Sequence, residues 1–421
     1  MLDRSISPRA YPIHELKPSP TIFHVLNNGI EVVGLNDSNL TLIRLDIRLK
    51  AGCYYQQKRA VSHAAIKLIT EGTKSMSSEQ IADELDYAGA YFEIVPDRDF
   101  STFTIYFPKR SAKKIMSIVT KLFVEAVFPE DKIEILKNNM RKNLSINMEK
   151  TSYLAHSHFI AHIFGVQHPY GTSLQFVDID LLTQKDIVEF YQKNFHAGNI
   201  RLFAAGNIDT DFLTLLNNTL GKIPYNQPNI QNELSLNASE GKFFIEKENA
   251  VQSSICIGKR LFTFHHKDWV PMYILNTVFG GYFGSRLMTN IREEKGLTYG
   301  IYSRMQSFQL EGVFMIRADV NKELVQQAVN EIHKEMKNLR KKTIMPDELE
   351  LVKNYLYGSL LRNFDGVFSQ IDRTIQINDY GFSSDFWINY LEILRNITPQ
   401  ILQDLAYNYL NPNNMTEIVS G

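Results

Sequence analysis

Residues 40–52, LTLIRLDIRLKAG, alternate apolar and polar positions with the two-residue period of a strand that buries one face. NGIEVVGL (28–35), entered through Asn27-Asn28-Gly29, and STFTIYF (101–107) have the β-rich composition of further strands. SSEQIADELDYAG (77–89) instead spaces its apolar residues at helical intervals. It opens on a Ser with Gln three places on and closes at Gly89, so it reads as a capped amphipathic helix. VSHAAIKL (61–68) opens another helix behind the first strand and carries a histidine.

The pattern then repeats. TQKDIVEFYQKNFHAGNIRLFAAG (183–206) and TPQILQDLAYNYLNPNNMTEIVSG (398–421) share one ungapped layout. Each has a Thr N-cap, an amphipathic helix, a turn at Asn199 or Asn414, and an apolar strand ending in Gly. KIEILKNNMRKNL from Lys132 and ELELVKNYLYGSL from Glu348 match at Lys137/Lys353, Asn138/Asn354 and Leu144/Leu360. Two matches in order at nearly one offset predict a tandem duplication. KIPYNQPNIQNELSLNASEGK (222–242), rich in Asn, Gln, Pro and Ser, reads as the linker. The expected organisation is α+β: domains at 1–225 and 242–421, joined by 226–241, each a mostly antiparallel sheet with helices packed on one face.

Composition narrows the function. A chain of 421 residues suits two domains, and 44% hydrophobic against 22% charged residues is an ordinary globular balance. Lys and Arg (45) offset Asp and Glu (46), which disfavours a nucleic-acid partner. Two cysteines give neither a disulfide framework nor a cysteine metal cluster. No apolar run reaches the ~20 residues that cross a bilayer, so no membrane association is expected. The cytoplasm is the expected compartment, with the periplasm the alternative if a signal peptide has been removed.

FGGYFGSRLMTNIREEKGLTYGIYS (279–303) closely resembles the C-terminal-domain signature of the pitrilysin/insulinase-type (M16) metallopeptidases, small two-domain bacterial type. RLKAGCYYQ (48–56) resembles that family's strand before its zinc helix, and HPYG (168–171) its mid-domain turn. Active members hold zinc with an inverted H-x-x-E-H helix motif and a later acidic ligand. Aligned on that motif, His63 keeps the first ligand position, but Ile66 stands at the general base and Lys67 at the second ligand. Isoleucine cannot take a proton, and an ammonium repels a cation. Counting back from HPYG, the third ligand falls near Asn143, with Glu134 and Glu149 the nearest carboxylates. The expectation is therefore no metal and no catalytic residue in this chain, with zinc in a partner subunit.

What the resemblance retains is Arg292 and Tyr299, matching the family's substrate-binding pair, and Gly280, Gly281 and Gly284, matching its loop near substrate. Alone, the pair would read as a helix-end arginine and a strand tyrosine. The implied function is the non-catalytic, substrate-binding subunit of a heterodimeric zinc metalloendopeptidase that cleaves extended peptides, its partner an M16-type subunit with an intact H-x-x-E-H. The alternative is an inactive peptide-binding or structural assembly subunit with no peptidase partner. His158 and His162 share a helix face in HSHFIAH but lack an acidic partner in sequence. His265-His266 read as an exposed turn, and EIHKEMKNLRKK (331–342) as solvated surface.

Overall fold

The computed structural model describes residues 17–230, 234 and 238–421. Parts of the expected first domain (1–16) and linker (231–233 and 235–237) lie outside the described residues.

The first half begins with strands β1 (Thr21–Val25), β2 (Glu31–Asn36) and β3 (Leu42–Leu49) and helix α1 (Val61–Lys67). A two-residue hairpin, β4 (Gly72–Thr73) and β5 (Met76–Ser77), leads to α2 (Ser78–Tyr87), whose Ser77–Gln80 capping box is formed as expected. Strands β6 (Tyr91–Pro96) and β7 (Ser101–Pro108) precede helices α3 (Ala112–Glu125), α4 (Glu130–Met148), α5 (Thr151–Phe164), α6 (Phe176–Asp180) and α7 (Gln184–Asn194). Strand β8 (Ile200–Gly206) and α8 (Thr210–Asn218) close this half.

The second half runs through β9 (Lys242–Ile245), β10 (Gln252–Leu261) and α9 (Trp269–Asn276), with wider π turns at Thr277–Gly281 and Met288–Glu294. Strands β11 (Thr298–Ser307) and β12 (Gly312–Asn321) follow. Helices α10 (Val325–Lys341), α11 (Pro346–Asn363), α12 (Gly366–Asn378), α13 (Asp385–Asn396) and α14 (Pro399–Tyr409) lead into β13 (Thr416–Ser420).

The two large sheets have the orders β1-β2-β8-β3-β7-β6 and β11-β12-β10-β13-β9. In each, the half's last strand lies parallel to an early one (β8 on β2, β13 on β9) and antiparallel to the central strand, β3 or β10. Strand alternation explains the layers. Ile43, Leu45, Ile47 and Leu49 enter the first hydrophobic core with α1, α3 and α7, while Arg44, Asp46 and Arg48 project from the opposite face of β3.

Apart from α5 and α12, each half packs helices of its own against one face of its sheet. The opposite faces carry something the periodicity did not show: each takes a helix from the other half. On the first sheet, Val367 and Ile371 of α12 pack on Val33, Leu35, Phe203 and Ala205. On the second, Ala155, Phe159, Ile160 and Ile163 of α5 pack on Cys256, Val313, Met315 and Ile418. Charged contacts pin the first exchange: Arg44 reaches Asp372 at 2.6 Å and Arg48 reaches Asp379 at 2.6 Å. Polar residues at these positions in β3 thus face the other half rather than solvent.

EIHKEMKNLRKK is a correction. Glu335 is buried and accepts from Asn290 at 2.7 Å, and His333 Nε2 sits 2.9 Å from the Glu417 carboxylate. These residues lie on the inward side of α10, so only part of the run is solvated.

Candidate functional site

Helix α1 starts from Ala60 in the left-handed region (φ 72°), with Gln56 Oε1 accepting from the Ser62 N–H at 3.2 Å and its hydroxyl at 3.0 Å. That start aims successive side chains in three directions. His63 lines a cleft of about 450 Å³ with Cys53, Arg59, Asp97, Arg98, Asn143 and Asn147. Ile66 is 0% exposed within the first core. Lys67 reaches sideways, its Nζ donating to the Ile94 carbonyl of β6 at 2.6 Å. The base position is therefore closed to the cleft, and the second-ligand position is bound to a backbone oxygen.

The far wall comes from α4, where Met140, Asn143, Leu144 and Asn147 present one helical face to the cleft. The structure thus brings Asn143 to the cavity that His63 lines. Neither nearby carboxylate joins them: Glu134 pairs with Lys137 at 3.0 Å and Glu149 with Lys247 at 2.7 Å.

A zinc ion does not fit this donor set. Burial, and secondarily the charge of Lys67, lower the His63 pKa, leaving one neutral imidazole. Asp97, whose Oδ1 accepts from the Arg98 N–H at 2.7 Å, brings a single carboxylate to the lining; the amides of Asn143 and Asn147 are weak replacements for further ones, and two guanidinium groups share the cleft. Cys53 adds no thiolate, because burial pushes its thiol up to about 11 despite Arg98 nearby. Among the described residues no three His, Cys, Asp or Glu side chains are placed to hold a metal. That includes His158 and His162: the latter's Nδ1 is 2.6 Å from the Ser239 hydroxyl, and its ring stacks on Phe243 at 3.9 Å.

HPYG forms a floor beneath Arg98 of the cleft, whose guanidinium donates to the Pro169 carbonyl at 3.1 Å. Tyr170 is fully buried, donates to Asp99 and stacks on Phe308 of the second half at 4.4 Å. A Cβ on Gly171 would lie 2.1 Å from the Gly165 carbonyl oxygen, so only glycine closes this turn. Asp99 also accepts from the Gln309 N–H at 3.0 Å, joining the floor to the second half.

Arg292 and Tyr299 lie elsewhere: every residue lining the His63 cleft belongs to the first half. Arg292 lies in the last turn of the π segment and stacks its guanidinium over Phe283 at 4.5 Å. Gly296 (φ +63°) reverses the chain, and Tyr299, 93% exposed, lies near the start of edge strand β11 within the bulge between Thr298 and Ile301. Gly280 and Gly281 finish a helical segment rather than lying in a loop, and only Gly284 sits in the following turn. A Cβ on Gly280 would be 2.6 Å from the Ser303 hydroxyl, so this glycine lets the segment press against β11. His265 and His266 are exposed, as expected.

The sequence reading missed the Lys67–Ile94 contact and the roles of Arg98 and Asn147. Residue 147 stands one turn after 143 on the same helix, which was the available signal; nothing local marks Ile94 as the partner of Lys67.

Comparisons with known proteins point to one group. A family model described as Peptidase M16 inactive domain matches residues 181–356. The uncharacterized zinc protease YmxG of Bacillus subtilis is 21% identical over 354 residues, covering 83% of this chain and 86% of that protein. The non-peptidase homolog YmxG of Helicobacter pylori is 23% identical over 366 residues, covering 83% and 82%. A solved M16 inactive domain from Pseudomonas fluorescens has the same fold: TM-score 0.89, 19% identity, 95% of this chain and 98% of that one. The chain is similar to the M16 peptidase family, through that family model over residues 181–356 and through relatives aligned over most of its length. It is a non-catalytic M16 homologue, and the buried Ile66 and the diverted Lys67 give the physical reason. Among the described residues no helix is long and apolar enough to cross a membrane.

Proposed function

We propose that this M16 homologue is the substrate-binding, non-catalytic subunit of a heterodimeric zinc endopeptidase. A partner chain supplies the intact H-x-x-E-H and its zinc; this chain supplies Arg292 and Tyr299. The single observation that carries the reading is the contrast between the two sites. The metal position has been rebuilt as core and backbone contact, whereas Tyr299 stands open at a sheet edge with Arg292 on the adjoining helical turn. A guanidinium and a phenol can both donate to a peptide carbonyl or to the oxyanion formed when water attacks it. An extended peptide held mainly through its backbone would be cleaved with little dependence on sequence.

A tandem duplication as the chain's origin is part of this proposal, and paired contacts support it. Lys137 Nζ donates to carbonyls at Asp180 and Leu182 and pairs with Glu134; Lys353 Nζ donates to the Arg395 carbonyl and pairs with Glu350. The matched lysines thus fasten the same kind of helix end in both halves.

Co-purification from the native source with mass spectrometry of bound chains tests the assignment. An M16-type chain with intact H-x-x-E-H is expected in stoichiometric amount. Recovery of this chain with only non-peptidase partners would favour the structural assembly role instead.

A further inference from the structure

We propose that Lys67 guards the open edge of the first sheet, its ammonium holding the backbone acceptor that an incoming peptide strand would need. Among the described residues, strand β6 is the last strand of its sheet and pairs only with β7, and its side chains alternate between exposed and partly buried. An unpaired edge of this kind invites strand addition by another chain.

The ladder fixes which groups face outward. Asp97 N–H bonds to the Phe100 carbonyl at 2.9 Å, so Val95, Glu93 and Tyr91 in turn exchange hydrogen bonds with β7. Phe92, Ile94 and Pro96 therefore turn their backbone groups away from β7. Proline, with no N–H to give, suits that outward row. Beyond Pro96 the edge is already covered, because Cys53 N–H and Tyr54 N–H bond to the carbonyls of Asp97 and Arg98 at 3.1 and 2.8 Å. The open stretch is residues 92–96, and Ile94 is its centre.

Lys67 Nζ lies 2.6 Å from the Ile94 carbonyl oxygen. A peptide docking along β6 must displace that charged donor or forgo the central hydrogen bond, and it must lie beside the lysine stem. The substitution that removes a metal ligand position thus also closes the adjoining edge. Lysine is a common protector of edge strands when it projects from the strand itself; here it arrives from a neighbouring helix and takes the acceptor directly. At the β11 edge of the second sheet the strand is interrupted instead by the bulge between Thr298 and Ile301. The guard stands whether or not the chain has a catalytic partner.

The test is fluorescence anisotropy of a labelled alternating valine–threonine peptide against wild type, Lys67→Met and Lys67→Arg, with amide exchange of the Lys67→Met variant followed by NMR. Lys67→Met should bind roughly 10- to 100-fold tighter than wild type, the scale of one hydrogen bond to a charged group. Lys67→Arg, which keeps a cationic donor, should stay near wild type. Bound peptide should slow exchange at the Phe92 and Ile94 amides. If Lys67→Met does not fold, Lys67→Ala serves for the same comparison. A folded Lys67→Met or Lys67→Ala that binds no better than wild type overturns the proposal, as does added binding that leaves those two amides unprotected.

Discussion

Arg48 of β3 and Asp379, just past the end of α12, meet at 2.6 Å with side chains only 17% and 10% exposed. Arg48 also donates to the Thr102 hydroxyl at 2.6 Å, and its guanidinium lies over the Phe100 ring. The pair ties the first sheet to a helix supplied by the second half. Asp379→Ala would leave the guanidinium buried without its counter-charge, at a cost of about 3–5 kcal/mol. Denaturant unfolding checks this, and Arg48→Met combined with Asp379→Leu should recover most of the loss, because an apolar replacement removes both desolvation costs.

Restoring the letters of the zinc motif should not restore the site. In Ile66→Glu/Lys67→His a carboxylate enters a core position with no exposure, while residue 143 is still an amide. The expected result is a loss of at least about 3 kcal/mol and no stoichiometric zinc. Melting curves and metal analysis of the purified variant read both outcomes; a stable, zinc-loaded protein would contradict the placement of Ile66.

Stability should fall as the solution is acidified below neutrality. Burial, then the charges of Arg317 and Arg98, lower His156 to about 4 from 6.5, and its buried Nδ1 has no hydrogen-bond partner among the described residues. Between those values the unfolded chain binds the proton and the folded chain does not. The stability is complete above about 6.5 and is lost as pH falls toward 4. The span is worth on the order of 3 kcal/mol. Burial lowers His158, His168 and His196 as well, so the wild-type slope is a sum. His156→Gln should flatten it, as thermal melts across that window would show.

How much of this was legible in the sequence follows from the range of each interaction. The capping box at Ser77, the Thr183 and Thr398 caps and the positive-φ glycine at 89 are local, so residue type and spacing sufficed. The matched lysines Lys137 and Lys353 were visible as a pair in the sequence, and each fastens a helix end. The α5/α12 exchange was hidden: Arg44, Asp46 and Arg48 look like a solvated strand face until helices from the other half cover it. The cleft was half visible. His63 and Asn143 followed from the motif, but Lys67 meets Ile94 through a main-chain oxygen, which no side-chain pattern records.

The central claim is that chemistry in this M16 homologue requires a second chain. Its most direct measurement is chelator-sensitive cleavage of a quenched fluorescent peptide by the pure chain, then by the chain mixed with an M16-type subunit that carries H-x-x-E-H. The account predicts no activity alone, activity in the mixture, and a loss of about 10²-fold or more in the mixture for Arg292→Ala, the scale of one removed oxyanion donor. Full chelator-sensitive activity of the pure chain would contradict it.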